Sequence, residues 1–173
     1  MVRKATKSDI NSIVELYKQA AKTPDGIART PDEIDHDLIN EYFEKSAKQG
    51  LMLVIENPQN PQQLIAAIHC YKFDPECFLH MLGNLMLVVH PDFHSQGLGR
   101  KIFTHLLEEI KNHHPEIVRV ELFVRSNNPK AIALYQKLGF AIEGYLKCRT
   151  ASSFGSFESD IIMGWINPNY TKI

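Results

Sequence analysis

One tryptophan, three cysteines and no apolar run long enough to span a bilayer leave this 173-residue chain few ways to be anything but a water-exposed globular protein. The cysteines, Cys70, Cys77 and Cys148, have neither metal-ligand nor redox spacing, and an odd number leaves one unpaired within the chain. They read as free thiols in a reducing cytoplasm. A large charge of either sign is also missing. The net charge is −1, so nothing suggests a nucleic-acid or membrane surface. The N-terminal MVRKATKSD lacks the apolar core that a signal peptide needs. The eight histidines lack metal spacing, His113-His114 reads as a helix-end pair, and no metal is expected. Repeats, low-complexity tracts and linkers are missing too. What is present, 44% hydrophobic and 23% charged residues, suits one domain over residues 1–173 with a sizeable core.

The apolar pattern alternates between two periods. Val2 to Ala5 reads as a first strand. Ser8 as N-cap and Asp9 beside the helix dipole begin a helix carrying Ile10, Ile13, Val14, Tyr17 and Ala20. TPDGIARTP breaks it. Thr30, Pro31 and Glu33 read as N-cap, N1 and capping-box acid of a second helix, which Gly50 ends. LMLVIE (51–56) and LIAAIHCY (64–71) flank a Pro/Asn turn and should form a hairpin. NLMLVVH (84–90) is nearly continuous apolar sequence, as expected of a strand covered on both faces. A glycine turn follows, then a helix marked by Ile102, Leu106, Leu107 and Ile110. The strand VRVELFV (118–124) comes next, so a parallel pair joined by a crossover is expected. Asn128 and Pro129 start a fourth helix, Gly139 stops it, and FAIEGYL and FESDIIMGW close the chain as strands. The order implies one mixed α/β domain.

The glycine turn carries the most chemistry. In HPDFHSQGLGRKIF, Gly97 and Gly99 stand where a helix start offers unpaired N–H groups and a positive dipole end. Bare backbone there lets amides approach an anion, most often phosphate. A plain strand-to-helix turn would also use glycine. A phosphate loop of the Walker type needs four residues between its glycines, and here there is one. A dinucleotide fingerprint needs a third glycine where Ile102 stands, in an N-terminal strand-helix-strand unit.

The stretch His94-Ser95-Gln96-Gly97-Leu98-Gly99 instead resembles the acetyl-coenzyme A pyrophosphate loop of the GNAT superfamily of N-acetyltransferases, Arg/Gln-x-x-Gly-x-Gly/Ala. His94 replaces the usual Arg or Gln, and the charge of Arg100 can compensate. Downstream, SNNPKAIALYQKLGF (126–140) is similar to the family's N-x-x-A-x-x-L-Y-x-x-x-G-F segment at every named position. The resemblance runs from about Asn84 to Phe140. It implies a central, mostly antiparallel sheet with one parallel, splayed strand pair, flanked by about four helices. It also implies acetyl-coenzyme A as co-substrate and direct transfer of an acetyl group to a primary amine of a small molecule, amino acid or peptide. A homodimer is left open.

By that resemblance, pantetheine pairs with backbone groups of the strand Leu87, Val88 and Val89. The thioester carbonyl accepts a backbone N–H there, as in an oxyanion hole. The pyrophosphate lies on Ser95 to Arg100. Asn128 contacts the cofactor and caps its helix. Tyr135 is the general acid for the departing thiolate. Glu121, a carboxylate inside an apolar strand, is the base, acting through water; pairing with a nearby Arg or Lys is its structural alternative. Asn84 and Met86 deny an acid to the preceding strand, and His80 and His90 are other candidates. His90 also suits a cap of the loop. Asp25, Arg29, Arg149, Glu158 and Asp160 are charges that can read an acceptor or merely stay solvated. A non-catalytic acyl-coenzyme A sensor is the alternative from another class.

Overall fold

The computed structural model describes residues 1–23, 26–151 and 155–170. The chain forms two compact units, Met1–Tyr71 with Met86–Leu107, and Lys72–Leu85 with Glu108–Ile173. Seven strands hydrogen-bond in the order β1-β2-β3-β4-β5-β7-β6. They are β1 (Val2–Lys4), β2 (Gly50–Asn57), β3 (Asn60–Lys72), β4 (Met81–Val89), β5 (Arg119–Arg125), β6 (Ala141–Ala151) and β7 (Phe157–Ile166). The helices are α1 (Ile10–Ala21), α2 (His36–Gln49), α3 (Leu98–His113) and α4 (Pro129–Lys137). The pairs β1–β2, β2–β3, β5–β7 and β6–β7 are antiparallel, and β4–β5 is parallel. This is the expected mixed sheet.

In the first unit, α1 buries Ile13, Val14, Leu16, Tyr17 and Ala20, a stripe at the helical repeat. It packs in one core with Ile39 and Tyr42 of α2, Met52 and Val54 of β2, Leu64, Ala67 and Tyr71 of β3, and Val88 of β4. The helix starts differ from expectation. A 3-10 turn, Lys7–Asp9, precedes α1, and the anchoring pair is Thr6 with Asp9 rather than Ser8 alone. The Asp9 carboxylate accepts from the Thr6 N–H (2.7 Å) and hydroxyl (2.9 Å), and from Arg3 at 2.7 and 2.8 Å. That fork holds Asp9 down at about 2. Likewise Glu33 accepts from the Thr30 N–H and hydroxyl, but over a 3-10 turn, Pro31–Glu33. The chain then extends at Ile34, and α2 begins on a second cap, Asp35, which accepts from the Leu38 N–H at 2.8 Å. Two capping signals stand in tandem, and only the second begins α2.

A histidine sits in this core. His69 of β3 is 2% exposed, and its Nδ1 shares a hydrogen bond with the Tyr17 hydroxyl at 2.9 Å. Tyr42 and Tyr71 lie at 4.5 and 6.0 Å between ring centroids. Burial pushes the imidazole down to about 3, from 6.5. The unfolded chain therefore takes up a proton below pH 6.5 that the folded chain refuses, and stability falls as pH drops from 6.5 toward 3. The lowered carboxyls Asp9, Glu33 and Glu143 act only below 4.5, their highest ordinary value. Thermal midpoints measured between those limits should fall with pH in the native protein, and the slope should flatten in His69→Gln. An equal slope in both would exclude His69 as its source.

In the second unit, the parallel ladder runs over Met81↔Arg119 and Leu82↔Val120. Two residues further on, Asn84 adopts a left-handed backbone (φ 48°), which breaks the extended repeat of β4. Strands β5 and β7 pair throughout, from Arg119↔Ile166 to Arg125↔Asp160. Asn128 caps α4, accepting from the Ala131 N–H at 3.0 Å, and Gly139 (φ 94°) ends it.

Candidate active site

The loop belongs to the first unit. His90 N–H donates to Ile65 O at 2.9 Å, fixing the end of β4 beside β3. The His90 ring caps the next turn, Pro91–Phe93, accepting from the Asp92 N–H at 3.3 Å, as its loop-capping assignment expects. Ser95 (φ 61°) and Gly97 (φ 77°) both have left-handed backbones, with Gln96 between them. For serine that conformation costs of order 1–2 kcal/mol, and such strain gathers where a ligand is held. A Cβ built on Gly97 would meet nothing within 4 Å, so its glycine answers to backbone angle and to open space above it. Gly97 O accepts from the Lys101 N–H at 2.9 Å, the first helical bond of α3. The N–H groups of Leu98, Gly99 and Arg100 thus precede any intrahelical acceptor.

The charges at this helix start are unusual. The first turn of α3 contains no acid and carries Arg100 and Lys101 behind Leu98 and Gly99. Cations there oppose the helix dipole, and an anion reverses the sign of that cost. His94 has a different task from the one its position in the motif suggests. Its Nε2–H donates to Val89 O at 3.0 Å, pinning the loop to the end of β4. The sequence could not show this, because the bond depends on how the chain turns between the two residues.

The remaining candidates belong to the second unit. Tyr135 of α4 is 9% exposed, its ring 6.1 Å from Phe140, and burial pushes its phenol up to about 12. The phenol is therefore a proton donor across the neutral range. It lies on the helix that Asn128 caps. Glu121 of β5 has a partner on its own strand: Arg119 Nε and Nη2 both donate to Glu121 Oε2 at 3.2 Å. Arg119 also donates to Glu143 of β6 (Nη1 to Oε1, 2.9 Å), which holds the Glu143 carboxyl below its ordinary range. Arg119 lies beside Gly164 of β7, where a Cβ would come within 2.6 Å of its Nη1. Both the alternative for Glu121, an arginine pair, and an oxygen left over for proton transfer are present. Glu121 Oε1 has no partner among the described residues. Gly164→Val should displace Arg119, lower the thermal midpoint and change the pH profile of any Glu121-dependent rate; an unmoved profile would disconnect the two.

Of the charges proposed to read an acceptor, Asp25 lies outside the described residues. Arg29 Nη2 donates to the Tyr42 hydroxyl at 3.3 Å. Arg149 pairs with Asp160 at 2.6 Å and stands over the Phe123 ring at 4.0 Å, and Asn127 donates to Glu158 at 2.7 Å. None of these is merely solvated. Among the described residues there is no group of three or more metal-ligating side chains, and no helix is long and apolar enough to cross a membrane.

The [Ribosomal protein bS18]-alanine N-acetyltransferase of Salmonella typhimurium is 44% identical over 54 residues, 31% of this chain and 35% of that protein. The match thus spans about a third of that relative's length. The L-amino acid N-acyltransferase MnaT of Escherichia coli is 26% identical over 157 residues, 89% of this chain and 86% of that protein. Among solved structures, a yncA putative acetyltransferase from Salmonella typhimurium with its cofactor acetyl-CoA superposes with a TM-score of 0.85 at 21% identity, over 100% of this chain and 96% of that one. The ribosomal-protein-alanine N-acetyltransferase from Brucella melitensis gives 0.82 at 24% identity, over 96% and 99%. The Acetyltransferase (GNAT) family model matches residues 10–140, from the start of α1, through the start of α3, to Phe140 beyond α4. That is most of the chain, and it belongs to the GNAT acetyltransferase family.

Proposed function

We propose that this protein is an N-acetyltransferase that moves an acetyl group from acetyl-coenzyme A to a primary amine of an amino acid, peptide or small molecule. The observation that carries the reading is the start of α3. Two left-handed residues, free helix-start amides, two cations and no acid make a cradle for a pyrophosphate. Acetyl-coenzyme A supplies a thioester, activated for attack. The family match and relatives named for alanine, L-amino acid and spermidine acetylation support an amine acceptor.

The chain's own groups handle the protons. An alkylamine, with a pKa of about 10, is mostly an ammonium at neutral pH and must lose a proton before it attacks. Glu121 Oε1 takes that proton through water, while Arg119 fixes the other oxygen. Tyr135 donates its hydroxyl hydrogen to the departing thiolate. Leu87, Val88 and Val89 offer backbone groups to the pantetheine arm, with Val89 O already serving His94. Asn128 contacts the arm near α4. The three cysteines are free, which suits a cytoplasmic enzyme. Calorimetric titration with acetyl-coenzyme A tests the cradle: saturable binding that competes with coenzyme A is expected, and no binding would refute it.

A further inference from the structure

A cavity of about 320 Å³ opens within the first unit, between α1, the start of β3 and His90. Its lining differs from that of the proposed transfer site: Asn11, Gln19, Asn60, Gln62 and Gln63 bring five carboxamides, and Glu15 one carboxylate. Four of the five carboxamide oxygens are already engaged, and Gln62 keeps both ends of its amide for a ligand. Asn11 Oδ1 accepts from His36 Nε2 (2.8 Å), Gln63 Oε1 from Asn57 Nδ2 (2.7 Å), Gln19 Oε1 from Lys22 (3.3 Å), and Asn60 Oδ1 from the Gln62 N–H (3.3 Å). With the oxygens turned to neighbours, the amino ends are left as donors without acceptors among the described residues. His90 adds a further donor, because its Nδ1 accepts from Asp92 and its Nε2 therefore carries the hydrogen. Glu15 has no cationic partner among the described residues.

Such a cavity wants acceptor oxygens on one side and one positive charge on the other. A bare anion is opposed by Glu15, and a neutral sugar leaves Glu15 unpaired. We propose that this cavity is a second ligand site that binds a free α-amino acid as its zwitterion. The carboxylate takes the amide N–H groups and the His90 Nε2–H. The ammonium pairs with Glu15. A volume of 320 Å³ is at the small end of ligand cavities and suits such a molecule. His90 links this site to the loop, since its backbone and ring hold the turn that leads to Gly97. Occupancy should therefore change the affinity for acetyl-coenzyme A.

The test is calorimetric titration of the L-amino acids, one at a time and without acetyl-coenzyme A, into the native protein and the variants Glu15→Gln and Gln63→Leu. At least one amino acid should bind, while its carboxamide and its N-acetyl derivative should not. Each variant should weaken it roughly tenfold or more, as loss of a charge-assisted bond does. The thermal midpoint of free Glu15→Gln should stay near native, because Glu15 is exposed, whereas Gln63→Leu should lower it, because buried Asn57 loses its acceptor. No binding at millimolar concentrations would overturn the proposal. So would binding that both variants leave unchanged, since the amino acid would then be held elsewhere, as an acceptor is. Neither result bears on whether acetyl-coenzyme A binds at α3.

Discussion

Tyr135→Phe is expected to lower kcat by roughly a hundredfold to ten-thousandfold, the usual worth of a positioned acid, while acetyl-coenzyme A affinity stays within about twofold. The argument is one of proton supply. A phenol raised to about 12 by burial holds its hydrogen at every pH at which the enzyme is assayed. The thiol that leaves is more acidic, with a pKa of about 8.5, so Tyr135 helps by donating a strong hydrogen bond as the thiolate forms. Phenylalanine keeps the ring, and with it the contact to Phe140, but removes the donor. No rate loss should appear on the alkaline side from Tyr135 below about pH 11. Rate measurements at saturating acetyl-coenzyme A, with affinity taken separately by calorimetry, separate these effects. A kcat within a few-fold of native would remove Tyr135 from the acid's role.

Gly97→Trp should act at the opposite end of the co-substrate, and on binding instead of rate. At φ 77° any L side chain adds strain of order 1–2 kcal/mol, which the fold can bear. Space is not the obstacle, because nothing lies within 4 Å of the new Cβ. That open space is where a pyrophosphate would meet the helix-start amides, so an indole there blocks it. Acetyl-coenzyme A affinity should fall at least about a hundredfold, the cost of losing two or more charge-assisted hydrogen bonds. The thermal midpoint should drop by only a few degrees. Native affinity in this variant would mean that the loop holds no phosphate.

The legible parts of this protein were those set by local rules. The hairpin of β2 and β3, the Asn128 cap, the Gly139 stop and the β4–α3–β5 order each rest on periodicity or on one turn residue, and each is present. Helix starts were harder, because capping signals in tandem compete. Thr30 with Glu33 and Asp35 with Leu38 are both satisfied, and only the second begins α2. Strand bounds slipped for a related reason. Strand β4 begins at Met81, three residues before the apolar run that marked it, and continues through a left-handed Asn84.

Within the site, Gly97 and its motif could be read, but not what neighbouring side chains do. The bond from His94 to Val89 joins residues five apart. Arg119, Glu121 and Glu143 meet across three strands, at a place left open by Gly164. No periodicity announces such a triad, since it depends on the register of β5, β7 and β6. The donor-lined cavity between α1 and β3 was equally hidden. Its chemistry depends on which end of each carboxamide is already engaged.

The most direct test of an amine acetyltransferase is thiol release from acetyl-coenzyme A against a panel of amino acids, short peptides, polyamines and aminoglycosides. Release that requires one class of amine, with one acetyl group added per thiol released, is the predicted result. Tight binding of acetyl-coenzyme A with no amine-dependent release from any member would contradict it and favour a sensor that reads acyl-coenzyme A without consuming it.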